Sequence, residues 1–419
     1  MSSYPEEKEI QVLPQLGRAI RQQFPIFSKL GEDLAYLDTA ASAQKCQVVL
    51  ERLNEFLSFE YANVHRGAYG LSAAATEAYE AVRPKVARFI NAADPHEIVF
   101  THGTTESINL AAHAIEPLLA PGGALLVTLL EHHSNIVPWQ LLAQRKQQKI
   151  DFVDVTDCGE LNLSDLEQKL ERHHPKLLAI TAMSNALGTI VPLDQVVRMA
   201  HAHGTLVLVD AAQGVPHLGL DVTALDLDFA AFSGHKLYGP TGVGVFFGKA
   251  ALLEKLDPFM SGGSMIRKVT TKGTTFADPP HRFEAGTPPI AEVVGLGAAI
   301  DFITGLGVER VHAHEAQVFR QIWTALEAEE GVTLHGPATA GRPQTGIISF
   351  NLRGVHPHDL STILDRFKVQ VRAGHHCAMP LLNRLGFESS ARISLGCYSD
   401  LGDLDPLLSG IREARRIFR

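Results

Sequence analysis

The sequence predicts an α/β fold, in which a large domain with a mostly parallel, doubly wound sheet precedes a smaller α+β domain. Short apolar runs alternate with longer segments of helical periodicity through the middle of the chain, which is typical of βαβ units. These runs cover residues 97–100, 124–129, 151–155, 177–182, 205–209 and 228–232. Because the runs do not alternate between apolar and polar residues, we expect parallel strands covered by helices on both faces.

The length and composition indicate a folded chain with more than one domain. The 419 residues are 45% hydrophobic and 20% charged, which excludes a largely disordered protein. At roughly 150 residues per domain, this length suggests two or three domains. We predict an N-terminal extension over residues 1–35 that packs against the small domain, a large domain over residues 36–300 and a small domain over residues 301–419.

The charge distribution argues against nucleic acid and membranes as partners. The net charge is −9, from 37 Lys and Arg against 46 Asp and Glu, and no basic block could neutralise a phosphate backbone or an anionic bilayer. The four cysteines are too scattered for a disulfide framework or a zinc ribbon, so a reducing compartment fits. Residues 1–17 are acidic and lack the apolar segment of a signal peptide, which predicts a cytoplasmic protein without a membrane span.

The first part of the chain is predicted to be largely helical. Apolar residues fall at helical spacing over residues 16–23, 48–59 and 73–90. Pro84 is expected to end or kink the third of these helices. The polar, glycine-containing loop at residues 61–67 is interpreted equally well as a plain connector or as a site loop that supplies His65 or Arg66.

Polar segments follow several predicted strands, at the place where ligands of doubly wound sheets collect. After the first run, residues 101–107 open a helix and include Gly103, Thr104 and Thr105. Backbone N–H groups and threonine hydroxyls at a helix start would bind an anion, and the glycine would permit close approach. An ordinary threonine N-cap with Glu106 in the first turn explains the same residues equally well.

Two adjacent histidines, His132 and His133, follow the second run. Neighbouring residues of an extended segment point to opposite sides, so at most one of them readily faces a given ligand. No carboxylate or cysteine lies at ligand spacing, and we therefore predict no metal site. The turn at residues 184–188, after the fourth run, has low specificity.

A carboxylate and a lysine end the last two strands of the series. Asp210 ends a buried strand, where it is costly to ionise without a partner such as a pyridinium nitrogen, although it could also cap the next helix. Lys236 follows 26 residues later, between Ser233 and His235 on one side and a loop on the other. A desolvated lysine has a lowered pKa and can bind an aldehyde, whereas a solvated lysine in a polar turn would be inert. The pair predicts pyridoxal 5′-phosphate (PLP), which is both an aldehyde and an anion.

A reactive cysteine is predicted in the smaller domain. Residues 291–306, 308–329 and 404–418 have helical patterns, and residues 345–352, 369–372 and 391–395 are predicted strands. The strand at residues 369–372 runs into Gly374, His375, His376 and Cys377. Arginine and imidazolium charge nearby would lower the pKa of the Cys377 thiol and favour the nucleophilic thiolate, whereas a buried cysteine would be inert. Cys46, Cys158 and Cys397 lack such neighbours and are interpreted as packing or incidental residues.

Over nearly its whole length the sequence resembles the PLP-dependent cysteine desulfurases of the aminotransferase class V superfamily, in particular the SufS type. The motifs that carry the resemblance are residues 36–38 (Tyr-Leu-Asp), 62–67 (Ala-Asn-Val-His-Arg-Gly), 103–106 (Gly-Thr-Thr-Glu), 131–133 (Glu-His-His), 233–240 (Ser-Gly-His-Lys-Leu-Tyr-Gly-Pro), 282–288 (Arg-Phe-Glu-Ala-Gly-Thr-Pro) and 374–380 (Gly-His-His-Cys-Ala-Met-Pro). Two small departures occur, Ala211 where relatives often have glycine and Met183 where histidine is common. Neither removes a functional group at a matched position.

The resemblance implies PLP-dependent fold type I and a role for each matched cofactor residue. Lys236 would bind PLP covalently and move the Cα proton, and His132 would stack on the pyridine ring. Asp210 would pair with the ring nitrogen, and Gln213 would donate to the phenolic oxygen. The phosphate ligands implied are Thr104, Thr105, Ser233 and His235, together with Thr287 from the other subunit of a homodimer.

The resemblance also implies the reaction. L-cysteine would become L-alanine and leave its sulfur as a persulfide on Cys377, with Asn185 and Arg392 binding the substrate carboxylate and Arg372 near the reactive cysteine. A SufE-type acceptor protein would then take the sulfur for iron–sulfur cluster assembly. Three alternatives stay open: a selenocysteine lyase acting on L-selenocysteine, an aminotransferase or other PLP enzyme that does not need Cys377, and a sulfur carrier without catalysis.

Overall fold

The computed structural model of the chain describes residues 15–337 and 346–418. The strands are β1 (Ala35–Tyr36), β2 (Ile98–Thr101), β3 (Ala124–Thr128), β4 (Lys149–Val153), β5 (Leu177–Thr181), β6 (Leu206–Asp210), β7 (Phe229–Ser233), β8 (Gly244–Gly248), β9 (Ile266–Thr270), β10 (Gly273–Phe276), β11 (Val332–His335), β12 (Ile347–Leu352), β13 (Val369–Gln370), β14 (Arg372–Gly374) and β15 (Ser390–Ser394). The α-helices are α1 (Pro25–Leu30), α2 (Gln47–Glu55), α3 (Gly70–Glu80), α4 (Val82–Phe89), α5 (Thr104–Ala114), α6 (Val137–Lys146), α7 (Leu163–His173), α8 (Leu193–Ala202), α9 (Gly214–Leu218), α10 (Ala250–Leu253), α11 (Ile290–Leu306), α12 (Val308–Glu327), α13 (Pro357–Asp365), α14 (Met379–Arg384) and α15 (Leu404–Ile417).

A seven-stranded sheet forms the centre of the fold, with the order β2-β8-β7-β6-β5-β3-β4. Strand β8 is antiparallel to both β2 and β7, and the other neighbours are parallel. The prediction of a mostly parallel sheet is therefore confirmed. Thr181 pairs with Asp210, and Asp210 pairs with Ala231, so the ends of β5, β6 and β7 meet at one edge.

Burial on both faces of this sheet explains the apolar runs. Leu178 and Ile180 of β5 belong to one buried cluster, whereas Leu177 and Ala179 belong to another. Successive side chains of a strand point to opposite faces. A strand covered on both faces therefore has no polar position, which is why the sequence pattern does not alternate.

The predicted helix at residues 73–90 is two helices. Helix α3 ends at Glu80 and α4 begins at Val82. Pro84 lies in the first turn of α4, where the backbone N–H that proline lacks would have no intrahelical partner. The proline accordingly marks the start of a new helix. The segment predicted as helix at residues 48–59 is α2 followed by a π-helical turn, Phe56–Glu60.

A second sheet lies in the C-terminal part, with the order β11-β12-β15-β14. The N-terminal segment contacts this part, because Arg21 forms a buried ion pair with Asp403 (2.7 Å between Nη2 and Oδ1) and β1 pairs with β13. The hairpin of β9 and β10 was not predicted. Most of its residues are exposed, so it lacks the apolar pattern of a buried strand.

No single helix among the described residues is long and apolar enough to cross a bilayer. Helices α11 and α12 meet the length and composition only as a pair, which is bent by 70°.

Candidate active site

A cavity of about 300 Å³ lies at the edge where the ends of β5, β6 and β7 meet. Most of the predicted site residues line it, namely Thr104, Thr105, His132, Asn185, Asp210, Gln213, Ser233, His235, Lys236, Arg372, Cys377 and Arg392. Thr287 is exposed and does not line this cavity. One chain thus brings together every predicted site residue except the one expected to act in the other subunit.

One end of the cavity combines a helix start with hydroxyl groups. The N–H and Oγ1 of Thr104 lie 2.8 Å and 2.6 Å from Ser233 Oγ, which joins the start of α5 to the end of β7. The N-cap residue is Gly103, so no threonine caps this helix. A Cβ atom on Gly244 would lie 2.5 Å from Gly103 Cα, and only glycine therefore lets β8 approach this turn. Exposed Thr105 and the helix N-terminus suit an anion.

Asp210 and Lys236 line the same cavity. Burial raises the pKa of Asp210, and the Lys236 charge opposes that rise. Asp210 Oδ1 accepts a hydrogen bond from the Ala212 N–H (3.0 Å), and the next helix is capped by Gln213, so Asp210 is not its N-cap. Burial lowers the pKa of Lys236 to about 8. Lys236 is therefore not a solvated surface lysine, and its neutral amine is accessible near physiological pH.

His132 and Gln213 lie in the same cavity. His132 Nδ1 accepts a hydrogen bond from the Ser134 N–H (3.1 Å), and burial together with the Lys236 charge lowers the pKa of His132 to about 3. The imidazole is therefore neutral. Gln213 donates from Nε2 to the Ala40 carbonyl (2.8 Å), and its buried Oε1 has no partner among the described residues.

The cavity is also lined by two arginines that share one carboxylate. Arg392 is buried and donates to the Asn185 carbonyl (2.8 Å) and to Asp38 Oδ1 (3.2 Å), while Arg372 donates to Asp38 Oδ2 (3.0 Å). Burial lowers the pKa of Arg392 to about 10, which leaves it charged at neutral pH. Its Nε has no partner among the described residues, so a donor is available for a substrate carboxylate. Asp38 was not predicted as a site residue, although it lies in one of the motifs quoted above.

Cys377 lies in a constrained loop between β14 and α14. Its φ is +54° and that of His376 is +52°, both in the left-handed region that residues other than glycine seldom adopt. The Cys377 N–H donates to His375 Nδ1 (3.0 Å), and the Cys377 carbonyl accepts from the His133 N–H (2.7 Å). His133 Nε2 also accepts from the Met379 N–H (3.1 Å). His133, which the sequence analysis did not assign to the site, therefore holds this loop.

The expectation of imidazolium charge beside Cys377 is wrong for His376. The His376 ring is buried against Ser390, with Nε2 2.9 Å from Oγ, and burial lowers its pKa to about 3. Two of the other cysteines have the burial expected of packing residues, whereas Cys158 is exposed and its assignment as incidental stays a prediction. Cys46 and Cys397 are buried, and burial raises the pKa of Cys46 to about 11.

These groups fit PLP. An anion site, a buried carboxylate and a half-buried lysine of lowered pKa line one cavity, and phosphate, ring nitrogen and aldehyde are the groups that they would bind. Gln213 Nε2 has two N–H donors and gives one of them to the Ala40 carbonyl, so the second N–H is left for the phenolic oxygen. The cavity also brings Cys377 and Arg392 to the same space as Lys236, so a bound amino acid could meet a base, a thiol and a carboxylate ligand together.

Comparison with known proteins gives consistent matches over most of the chain. The family model described as aminotransferase class-V matches residues 35–407. A cysteine desulfurase of Dickeya dadantii is 48% identical over 402 residues, which cover 95% of this chain and 96% of that protein, and one of Pectobacterium carotovorum is 45% identical over 95% and 98%. Among solved structures, the Escherichia coli cysteine desulfurase CsdA in an S-sulfonic acid form has a TM-score of 0.88 at 37% identity and covers 96% of this chain and 98% of that one. The apo cysteine desulfurase of Thermococcus onnurineus has a TM-score of 0.90 at 36% identity, with the same coverage.

Proposed function

Because the chain belongs to the aminotransferase class-V family, we propose that it is a PLP-dependent cysteine desulfurase that converts L-cysteine to L-alanine. Curated relatives of 48% and 45% identity over nearly its whole length are cysteine desulfurases. The observation that carries the proposal is that Lys236, Cys377 and Arg392 line one cavity. An aminotransferase needs the lysine and the arginine but has no use for the thiol.

The residues of this chain have separate tasks in the reaction. When bound, PLP withdraws electrons from the substrate. Arg392 holds the substrate carboxylate, and the neutral amine of Lys236 takes the Cα proton. The Cys377 thiolate attacks the substrate sulfur, so an S–S bond forms and the Cβ–S bond breaks. The electron pair of the broken bond stays with the carbon skeleton, which gains protons and leaves as alanine, while the sulfur stays on Cys377 as a persulfide.

The test of this function is product analysis combined with mass spectrometry. Incubation of the holoenzyme with L-cysteine should release alanine and add one sulfur atom to the peptide that contains Cys377. Release of pyruvate and ammonia without this added mass would instead identify a PLP lyase. Sulfur on the protein without any alanine would identify a carrier.

We also propose the finer assignment to the SufS type, with transfer of the sulfur to a SufE-type acceptor for iron–sulfur cluster assembly. The motifs around residues 62–67 and 374–380 support this assignment. The half-buried position of Cys377 in its constrained loop supports an acceptor that brings its own cysteine to the persulfide. Addition of such an acceptor should raise alanine release. L-selenocysteine is proposed as an alternative substrate, because selenium leaves carbon more readily than sulfur.

The homodimer is proposed from the position of Thr287. It is exposed and does not line the cavity of its own chain, which suits a residue that completes the phosphate site of a partner subunit. We expect dimers that combine a Lys236→Ala subunit with a Thr287→Ala subunit to be more active than either parent, because one of their two sites then has both native residues. The measurement is alanine release by co-purified, differently tagged subunits. Activity of the mixed dimer no higher than the parents would contradict a shared site.

Asp38 is expected to position the substrate-binding arginine. Replacement of Asp38 by Asn keeps the shape of the side chain but removes the charge that Arg392 and Arg372 share. Hydrogen bonds to charged groups are worth about 1.5–3 kcal/mol, so we expect KM for L-cysteine to rise by roughly tenfold or more while kcat changes less. Steady-state alanine release measures both constants. A tenfold fall in kcat with an unchanged KM would contradict the positioning role.

We propose the division into residues 1–35, 36–300 and 301–419 as domains. A buried cluster with Ile348 and Phe350 of β12 and Ile393 of β15 supports a small domain with its own core. The cluster of the central sheet also includes Phe24 of the extension and Tyr398 of the small domain, so the three parts pack against one another. The Arg21–Asp403 ion pair supports contact of the extension with the small domain. The predicted contacts of residues 1–14 lie outside the described residues, and the cytoplasmic location stays a prediction.

A further inference from the structure

Three metal-ligand side chains lie together outside the cavity that contains Lys236. A nitrogen of His65, an oxygen of Glu80 and a nitrogen of His281 all lie within 4.8 Å of one another. His65 Nε2 is 2.9 Å from Glu80 Oε1, and the two imidazole ring centroids are 5.5 Å apart. We propose that these residues form a site for a divalent transition-metal ion, and Zn²⁺ suits a set of two imidazoles and one carboxylate best.

The backbone at His65 is held in an uncommon conformation that orients its ring. Its φ is +72°, in the left-handed region where a non-glycine residue is a reason to look for function. The His65 N–H donates to Thr76 Oγ1 (2.9 Å), and that hydroxyl donates to the Ser72 carbonyl (2.7 Å). Helix α3, which contains Thr76, also ends at Glu80. One helix therefore fixes two of the three ligands relative to each other.

The charges around the cluster favour a cation. Arg83 forms ion pairs with two carboxylates near the cluster. Its Nε lies 2.8 Å from Glu80 Oε2, and its Nη1 lies 2.8 Å from Glu284 Oε1. Glu80 and Glu284 against Arg83 leave one net negative charge beside the imidazoles, which Arg66 on the adjoining cavity offsets when no anion is bound there. Glu284 Oε2 lies 3.8 Å from His281 Nδ1, and its side chain is buried. This distance is that of a long ion pair and exceeds the hydrogen bond by which a carboxylate usually supports a metal-bound histidine, so Glu284 would have to move closer to His281 to take that role.

Space for a further ligand adjoins the cluster. A cavity of about 220 Å³ is lined by His65, His281 and Arg66, among others. Zinc sites with three protein ligands keep their fourth position for water or another small ligand. The guanidinium of Arg66 would favour a small anion in that position. No metal site is predicted from the sequence, where only His132 and His133 were considered as ligands. His65, Glu80 and His281 are far apart in the sequence, and only the fold brings them together.

The test is Zn²⁺ binding to the PLP-loaded Cys377→Ala protein, because that variant lacks the cavity thiol that could itself bind zinc. Titration against a chromophoric chelator should show one tight site per subunit, and Co²⁺ in its place should give the visible bands of tetrahedral coordination. His65→Asn is the first variant, because asparagine also tolerates a positive φ. Loss of a residue that only hydrogen-bonds a metal ligand lowers metal affinity by about 10–100-fold. His65 and His281 are proposed as direct ligands, so His65→Asn and His281→Asn should each raise the Kd for Zn²⁺ at least about 100-fold.

His203→Asn is the matched control. His203 Nε2 lies 3.1 Å from Glu167, a similar surface pair, but it belongs to no three-ligand group among the described residues. This variant should bind zinc like its parent. Zinc should also raise the midpoint of thermal unfolding of the parent and of the control, but not that of the two ligand variants. The midpoints measured without metal show whether the two ligand variants are folded. Absence of a tight site in the parent, or unchanged affinity in both ligand variants, would overturn the proposal. These readouts do not depend on desulfurase activity.

Discussion

Replacement of Cys377 by alanine is expected to lower alanine release from L-cysteine by at least about 10³-fold. In other enzymes, removal of the catalytic nucleophile lowers kcat by more than this factor. The variant should still bind PLP and L-cysteine. The reason is that the groups proposed to hold PLP, such as Asp210 and Lys236, lie at the ends of central strands, whereas Cys377 lies in a separate loop after β14. The measurement combines alanine release with the change in visible absorption on addition of substrate.

The control for this variant is Cys158→Ala, which removes the exposed cysteine and should leave the rate unchanged. L-selenocysteine provides a second comparison. Selenium can depart without a nucleophile more readily than sulfur, so Cys377→Ala should lose less activity with L-selenocysteine than with L-cysteine. If the variant desulfurates L-cysteine at the rate of the parent, Cys377 has no part in the reaction and the protein is a simple PLP lyase.

Replacement of Lys236 by alanine is expected to abolish the covalent attachment of PLP and to reduce turnover by about 10²–10⁴-fold, the usual contribution of a general base. Burial lowers the pKa of Lys236 to about 8, so its neutral amine is far more available than that of an exposed lysine. Borohydride reduction followed by peptide mass spectrometry locates the attached lysine. If PLP is attached to another lysine in the parent protein, the assignment of Lys236 as the PLP-binding residue is wrong.

Lys45→Ala is a matched control for this experiment. Burial lowers the pKa of Lys45 to about 8 as well, but its Nζ donates to the carbonyls of Ala43 (2.6 Å) and His235 (3.0 Å). Because these backbone groups occupy the amine, we expect Lys45→Ala to retain covalent PLP. A low pKa alone would then not be sufficient for attachment, and the position of Lys236 in the cavity would be the deciding property.

The positions of the central strands along the chain could be predicted from the sequence, because a strand that is buried on both faces is apolar at every position. Observed strands differ from the predicted runs by one or two residues, as for β6 at Leu206–Asp210. The pattern did not reveal the exposed hairpin of β9 and β10, since no face of it is buried in the chain. The buried central strands were thus predictable and the exposed hairpin was not, although helix α13 (Pro357–Asp365) was also missed despite burying Leu360 and Leu364.

Some residues of the candidate site could likewise be predicted from the sequence, whereas others could not. Lys236, Asp210 and Cys377 could be selected from the sequence, because their chemical types are unusual at strand ends or beside glycine and histidine. The tertiary structure decided what no local pattern contains: that Asp38 joins Arg372 to Arg392, and that His133 holds the loop of Cys377. Local sequence determines which side chains are available and which segments are buried. Contacts between residues hundreds of positions apart depend on how the segments pack, and burial in that packing makes His376 neutral where its neighbours in sequence suggested a charge.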